Sequence, residues 1–460
     1  MLLKELLFLN IIIITGTTST HCYGSMHWTW SCINGSCLRS STPYDKNGTS
    51  LNICRMLCGK YGSLWPIPTG KAVLGNGFYY FHSSKIKFDY SKVAGEAAKN
   101  YLTKVSTIFQ SKLDKTCGDE CIFIPRTEIN ITFNVMLPQM TLNWNTDESY
   151  TLDISKSEFS SDGNNIVDVK IKSKSVYGAR HALETLTQLT TLYTPFPCNG
   201  QTNSTLVIVS SAQLTDSPAY SHRGLVLDTA RHYIPVKSIY KTLDAMAMTK
   251  LNIFHWHVTD SQSFPLEIPR VPQLLWYGAY SQDLVYTVAD TKAIVEYAKL
   301  RGIRVILEVD APAHAGNGWQ WGEDYNLGKL ALCVNQLPWR KYCIQPPCGQ
   351  LNPVNVNLFD VLKKMFADII EMLPSGEAFH MGGDEVFFPC WNSSIEVIHW
   401  MENNLLNRTE ADFLYLWSLY QNTTLSLFDE INPVTDVPII LWSSKLTDPE
   451  VIEQFLDKDR

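Results

Sequence analysis

The sequence lacks three things that would each have named a function class: a run of basic residues, a glycine-rich GxGxxG turn after a first strand, and an apolar stretch long enough to span a bilayer. With a net charge of -7 and no basic tract, the electrostatic footprint of a nucleic-acid binder is missing, so no nucleic acid is expected and a neutral or polar ligand is. Without the phosphate turn, a dinucleotide-type doubly wound sheet loses its main signature. The longest apolar run, "LLFLNIIII" after Lys4 and Glu5, holds about ten apolar residues, too few for a transmembrane helix. It reads as the core of a signal peptide spanning 1–21. None of the twelve cysteines has the Cys/His spacing of a zinc site, and no metal or other cofactor is expected.

What is present points to an oxidising compartment. The cysteines form an even set, clustered as Cys32/Cys37/Cys54/Cys58, Cys117/Cys121 and Cys333/Cys343/Cys348/Cys390, the pattern of a disulfide framework. Sequons at Asn34, Asn47, Asn130, Asn203, Asn392, Asn407 and Asn422 agree with passage through a glycosylating pathway. Secretion, or delivery to a lysosomal lumen, is the expectation. At 460 residues the chain exceeds one hydrophobic core, so at least two domains are expected.

Residues 22–60 are rich in Cys, Ser and Trp with little periodicity, a small stapled segment. In 61–217 an α/β sheet-plus-helix domain is expected. There Val167, Val169 and Ile171 alternate with Asp168, Lys170 and Lys172, the period of a strand with one wet face. The next stretch switches period, and Ala179, Ala182, Leu183, Leu186 and Leu189 fall on one helical face. From 218 the pattern becomes apolar strand, amphipathic helix, apolar strand: "RGLVLD", "LNIFHWHVTD", "IRVILEVD", "AFHMGGDE" and "VPIILW". Between the second and third, Asp290 is placed as the cap of a helix that Gly302 ends. Continuous apolar strands imply a parallel sheet covered on both faces. Nearly every strand ends in an acid or His: Asp228, Asp260, Asp310 with His314, and the pair Asp384/Glu385. In a (β/α)8 TIM barrel those ends converge on one mouth, so 218–460 reads as a barrel.

Asp384 and Glu385 follow Gly382 and Gly383, residues that let the backbone pass close to something. Two adjacent carboxylates in a site of low polarity cannot both ionise freely, so one is expected protonated beside a charged partner, as a general acid beside an electrostatic stabiliser requires. His314 with Asp260 can form a hydrogen-bonded chain behind Glu385. His255 and His257 share a strand face and are read as structural hydrogen-bonders, since no third residue is spaced to complete a metal site. Arg223 holds a hydroxylated ligand or sits in a surface ion pair, two readings left open by its position. Trp319, Trp321, Trp339 and Trp442 lie in or beside post-strand loops, where they line a sugar site or pack the core.

The segments "SHRGLVLDTARHY", "LNIFHWHVTDSQSFPLE", "RGIRVILEVDAPAHAGNGWQWG" and "FHMGGDEVFFPCW" together resemble the β-N-acetylhexosaminidases of glycoside hydrolase family 20. "WRKYCIQPPCGQLNP" is most similar to the arthropod-type enzymes that process chitooligosaccharides and N-glycans. The resemblance runs from about residue 60 to the end and implies an α/β domain followed by a (β/α)8 barrel. It implies a retaining exo-hydrolase in which the substrate's own acetamido oxygen attacks the anomeric carbon to give an oxazolinium ion. Glu385 would protonate the leaving oxygen and Asp384 would orient the acetamido group. Asp260 and His314 would tune Glu385, Arg223 would bind sugar hydroxyls, Trp442 would line the pocket and Trp339 would stack on the next sugar. Cys333 would pair with Cys390 and Cys343 with Cys348. Dimerisation is common in the family, so a homodimer is a possible partner state.

After "VPIILW" only the short helical stretch "LTDPEVIEQFLDKDR" follows, so the expected barrel lacks its last strands and the sequence reads as a fragment of a longer chain. The alternative expectation is a non-catalytic glycan-binding or vestigial protein with an incomplete pocket.

Overall fold

The computed structural model describes residues 28–42, 45, 48–121, 124–157, 165–194 and 204–456. The expected leader, 1–21, and the sequons at Asn47 and Asn203 lie outside the described residues. Among the described sequons, Asn34, Asn392 and Asn407 are exposed, whereas Asn130 and Asn422 are half-buried.

The first segment is a hairpin, Trp30–Ile33 with Ser36–Arg39, beside a helix, Leu51–Leu57. It has too few apolar residues for a core of its own. Cys32–Cys58 and Cys37–Cys54 staple it, and Ile53 and Met56 dock on Val207 of the next domain. A six-stranded mixed sheet follows, with Ile166–Ser173 inside it between Glu128–Val135 and Tyr150–Lys156. Val167, Val169 and Ile171 are buried and Lys170 and Lys172 exposed, as the alternation predicts.

The helix Val176–Gln188 departs from the amphipathic pattern. Every residue from Val176 to Leu186 is buried, including Arg180, His181 and Glu184. The apolar stripe packs in the domain's own core, while Arg180 donates to the Ala247 carbonyl at 3.0 Å and Glu184 pairs with Lys112 of the helix Glu96–Cys117. The polar face is thus covered by a second helix and by the barrel, neighbours a local sequence pattern cannot show.

The second half builds five parallel strands in sequential order: β1 Gly224–Asp228, β2 Ile253–Thr259, β3 Arg304–Val309, β4 Phe379–His380 and β5 Ile439–Ile440. Helices Val236–Met248, Val288–Lys299, Val356–Met372 and Glu410–Ile431 connect them, and Pro449–Phe455 follows β5. Every residue of β2 and β3 is buried, the consequence of a sheet covered on both faces. Among the described residues β1 and β5 are the sheet's edges, and on β1 Leu225 and Val226 are exposed. The helix before β3 starts one turn earlier than Asp290 suggested. Thr287 is its cap and Asp290 is the third helical residue, whose carboxylate returns to the Thr287 backbone N–H, because the hydroxyl and the acid together satisfy two free amides.

β4 is only two residues long because the chain leaves the extended region directly after it. Gly382, Gly383 and Glu385 have φ of +66°, +87° and +51°. A Cβ on Gly382 would collide with the Asp310 carboxyl. The close neighbour those glycines admit is therefore Asp310, whose Oδ1 accepts the Gly383 N–H at 3.2 Å.

Candidate active site

Asp228 ends β1, and Asp260, Asp310 with His314, Asp384/Glu385 and Trp442 each follow the C-terminal end of one of the other four parallel strands, so the sheet delivers them to one mouth. His314 lies at the centre. Its Nδ1 is 3.3 Å from Asp260 Oδ1, and its Nε2 is 3.3 Å from Glu385 Oε2 and 4.0 Å from Asp384 Oδ2. His314 and Glu385 both sit at positive φ, +54° and +51°, a cost that recurs where side chains must be aimed. Gln345 donates from Nε2 to Glu385 Oε1 at 3.3 Å. Asp384 Oδ1 is a buried atom without a hydrogen bond, and His314 Nε2 and Glu385 Oε2, also buried and without one, have only their ion-pair approach to each other, so three groups in one place have donor or acceptor capacity to spare.

The charges there are set by neighbours rather than by burial alone. Burial opposes the charged His314 ring, yet Asp260, with Asp310 and Asp384 close by, lifts it to about 9. Burial likewise opposes ionised Asp260, but His257, His314 and Arg231 hold it down to about 2. The acid that burial pushes well above the ordinary range is Asp310, with Asp384 and Glu308 adding to the push and His314 opposing it. The expectation placed a protonated carboxyl within the Asp384/Glu385 pair; the carboxyl that burial raises lies one strand away, at Asp310. Asp384 and Glu385 keep 31% and 30% of their side chains exposed, which weakens the premise of low polarity around them.

Arg231 and Glu308, which the sequence reading did not single out, belong to this cluster, as does Asp310, which it placed at a strand end without a role. Arg231 spans the mouth, with Nη1 2.9 Å from Asp228 Oδ2 and Nη2 2.9 Å from Asp260 Oδ2. Asp310 shapes the turn before the pair. Glu308, fully buried on β3, faces His255 Nε2 at 2.5 Å and His257 Nδ1 at 3.0 Å, and accepts the Trp442 indole N–H at 2.7 Å. The available signal was a single carboxylate inside the otherwise apolar "RVILEV". His255 and His257 are accordingly hydrogen-bonded to a residue of the neighbouring strand.

Arg223 must be corrected. It precedes β1, at the opposite end of the strand from the mouth, and its guanidinium pairs with Glu148 and donates to the Lys250 and Tyr220 carbonyls. Committed to the seam between the two domains, it cannot reach a ligand at the strand C-termini. Arg231, eight positions on and after the turn, is the arginine that can. Of the two readings left open for Trp319 and Trp321 the structure gives core packing, at 2% and 3% exposed. Trp339 is half-buried beside the loop that Cys343–Cys348 closes, with Arg340 stacked on its ring, and Cys333–Cys390 ties the same region to the turn after Glu385.

Comparison with known proteins agrees with this geometry. Residues 220–456 match the model described as glycosyl hydrolase family 20, catalytic domain, and 64–189 match one described as beta-acetyl hexosaminidase like. The chain is 40% identical over 441 residues to the chitooligosaccharidolytic beta-N-acetylglucosaminidase of Bombyx mori, covering 94% of this chain and 70% of that protein. It is 35% identical over 306 residues to human beta-hexosaminidase subunit beta, covering 66% and 49%. Its fold superposes on the chitobiase of Flavobacterium johnsoniae with a TM-score of 0.58 at 24% identity, over 83% of this chain and 55% of that one. With two family models in order along the chain and a 40% identical relative, the protein belongs to glycosyl hydrolase family 20.

Proposed function

We propose that the chain is an exo-acting β-N-acetylhexosaminidase that releases terminal β-linked N-acetylglucosamine or N-acetylgalactosamine from chitooligosaccharides or N-glycans with retention. The observation that carries it is His314, held between Asp260 and the Asp384/Glu385 pair, with unspent polar atoms on all three residues of the mouth-facing end.

In this reading the acetamido carbonyl oxygen attacks the anomeric carbon as the glycosidic C–O bond breaks, and Glu385 gives its proton to the departing oxygen. Asp384 accepts a hydrogen bond from the acetamido N–H and balances the positive charge that develops on the oxazolinium ring. Water then attacks the anomeric carbon, Glu385 takes its proton back, and the ring reopens to the acetamide. Asp260 and cationic His314 orient Glu385 from behind. Arg231 and Trp442 hold the terminal sugar, and Trp339 offers a face to the next one. The five disulfides among the described residues fit an oxidising compartment, and we propose secretion or a lysosomal lumen as the location.

The test is hydrolysis of chitobiose and of an aryl N-acetyl-β-glucosaminide by the purified chain and by its Glu385→Gln and Asp384→Asn variants. Glu385→Gln is expected to abolish turnover of chitobiose, whose leaving group needs the proton. Asp384→Asn should be severe on both substrates. Parent-like rates in Glu385→Gln on chitobiose would refute the assignment.

A further inference from the structure

The proposed mechanism uses Asp260, His314, Asp384 and Glu385 and leaves Glu308 without a role, although a fully buried carboxylate on an apolar strand is costly to keep unless its partners require it. Its two oxygens face two different parts of the site. Oε1 accepts the indole N–H of Trp442, at 2.7 Å. Oε2 faces His255 Nε2 at 2.5 Å and His257 Nδ1 at 3.0 Å. The other nitrogen of His257 is 3.0 Å from Asp260 Oδ2, and Asp260 continues through His314 to Glu385. One unbroken row, Trp442–Glu308–His257–Asp260–His314–Glu385, therefore joins the tryptophan after β5 to the acid after β4 by way of β3 and β2. The row alternates in sign, which is what makes a buried series of charges tolerable. Burial resists it, but His255, His257 and His380 hold Glu308 well below the usual carboxylate range, and Asp260 and Glu308 lift His257 to about 10. The Trp442 ring is also faced by His380 and His255, with centroids 4.8 and 5.4 Å away.

We propose that Glu308 is a positioning residue that couples the sugar-binding wall to the proton relay, so that the indole of Trp442 and the ring of His257 are set by one carboxylate. The inference rests on the reading of Glu385 as the acid and Trp442 as a wall of the sugar pocket. A metal centre at the same place is the competing use of these donors, since those of His255, Glu308 and His380 lie within 4.8 Å of one another. Two of the groups are already committed: His380 Nδ1 accepts the Gly382 N–H at 3.0 Å and Glu308 Oε1 holds the indole. Positioning uses every one of these contacts, whereas a metal would have to break them.

The experiment compares parent, Glu308→Gln, Trp442→Phe, the double variant and Glu385→Gln on chitobiose and on an aryl glycoside with a good leaving group. Glu308→Gln keeps the shape and removes the charge. It is expected to raise KM on both substrates and to lower kcat about tenfold on chitobiose, with a smaller fall on the aryl glycoside, because the relay matters most when the leaving group needs a proton. Trp442→Phe keeps an aromatic face and loses the N–H, and should show the same split. The double variant should be no worse than the poorer single one. Multiplying effects, or a Glu308→Gln protein altered only in thermal stability, would overturn the coupling. Should Glu308→Gln fail to fold, Trp442→Phe decides alone: a rise in KM with kcat unchanged on both substrates overturns it. An inactive parent, or a Glu385→Gln variant with parental turnover of chitobiose, refutes the underlying assignment and the inference with it.

Discussion

Two buried charge clusters face opposite ends of the barrel strands, and they treat histidine in opposite ways. At the mouth, His257 and His314 are lifted to about 10 and 9 against burial, by Asp260, Glu308 and Asp310. At the seam between the domains, burial drives His181 down to about 4, and the charges of Arg180 and Lys250 add to it, although Glu148 pulls the other way. Nearly every group at the seam is paired within it: Lys250 with Asp216 at 2.9 Å, Arg180 with Glu184 at 2.9 Å, Arg223 with Glu148, and Asn252 with Glu148 at 3.0 Å. At the mouth three buried atoms gathered together, His314 Nε2, Asp384 Oδ1 and Glu385 Oε2, have no hydrogen bond, against one at the seam, His181 Nε2. Burial of charge is common to both, so it does not mark a site. The unspent groups, gathered from different strand ends, do.

Substitutions can separate the two clusters. The largest effect is expected at the mouth, where Glu385→Gln should lower kcat on chitobiose by about two to four orders of magnitude while the thermal midpoint moves little, since Glu385 is part-exposed and held by few contacts. Steady-state kinetics beside a thermal melt checks both halves. Arg223→Ala should do the reverse. It leaves Glu148 buried beside His181 without its guanidinium, a loss of roughly 3 kcal/mol in a urea titration, with KM of the folded protein unchanged. Arg231→Ala should raise KM with a smaller loss of stability than Arg223→Ala, because its guanidinium is one-third exposed and buried Asp260 keeps His257 and His314 as partners. If Arg223→Ala raised KM and Arg231→Ala did not, the assignment of the two arginines to opposite ends would be wrong.

What the sequence could show followed from periodicity, and what it could not followed from register. The strands β1 to β3 and the helices after them were legible because continuous apolar runs and apolar stripes carry their own period. The mouth residues Asp260, Asp310, Asp384 and Glu385 were legible because each closes such a run, and His314 because it follows Asp310 in the same loop. Arg223 was misplaced because it precedes its run and Arg231 follows it, a distinction that depends on which strand end faces the ligand. Glu308 needed the pairing of His257 with Glu308 across β2 and β3, and the role of Asp310, though not its place at a strand end, needed the close approach of Gly382, which are tertiary facts. The buried polar face of the helix Val176–Gln188 escaped for the same reason, since its cover comes from the barrel.

The smallest expected effect tests the seam by pH. A histidine whose folded pKa is about 4 against an ordinary 6.5 stays neutral in the native state while the unfolded chain takes up a proton. Stability should therefore fall as pH drops from 6.5 towards 4, by at most about 1.4 kcal/mol per pH unit from this residue. The raised histidines act in another window: the contributions of His257 and His314 are complete below 6.5 and are lost as pH rises through about 9 to 10. Glu148 and Asp260, held down to about 2, contribute fully above the ordinary carboxylate range and lose that contribution as pH falls towards 2. The contributions of the other four groups are common to the parent and a His181 variant, so the difference between those two proteins reports His181. His181→Asn keeps an acceptor for Arg180 and cannot titrate. Urea unfolding of parent and variant at pH 5 and pH 7 should show the gap between them changing in the variant's favour at pH 5. An equal gap at both values would mean that the seam does not hold His181 neutral.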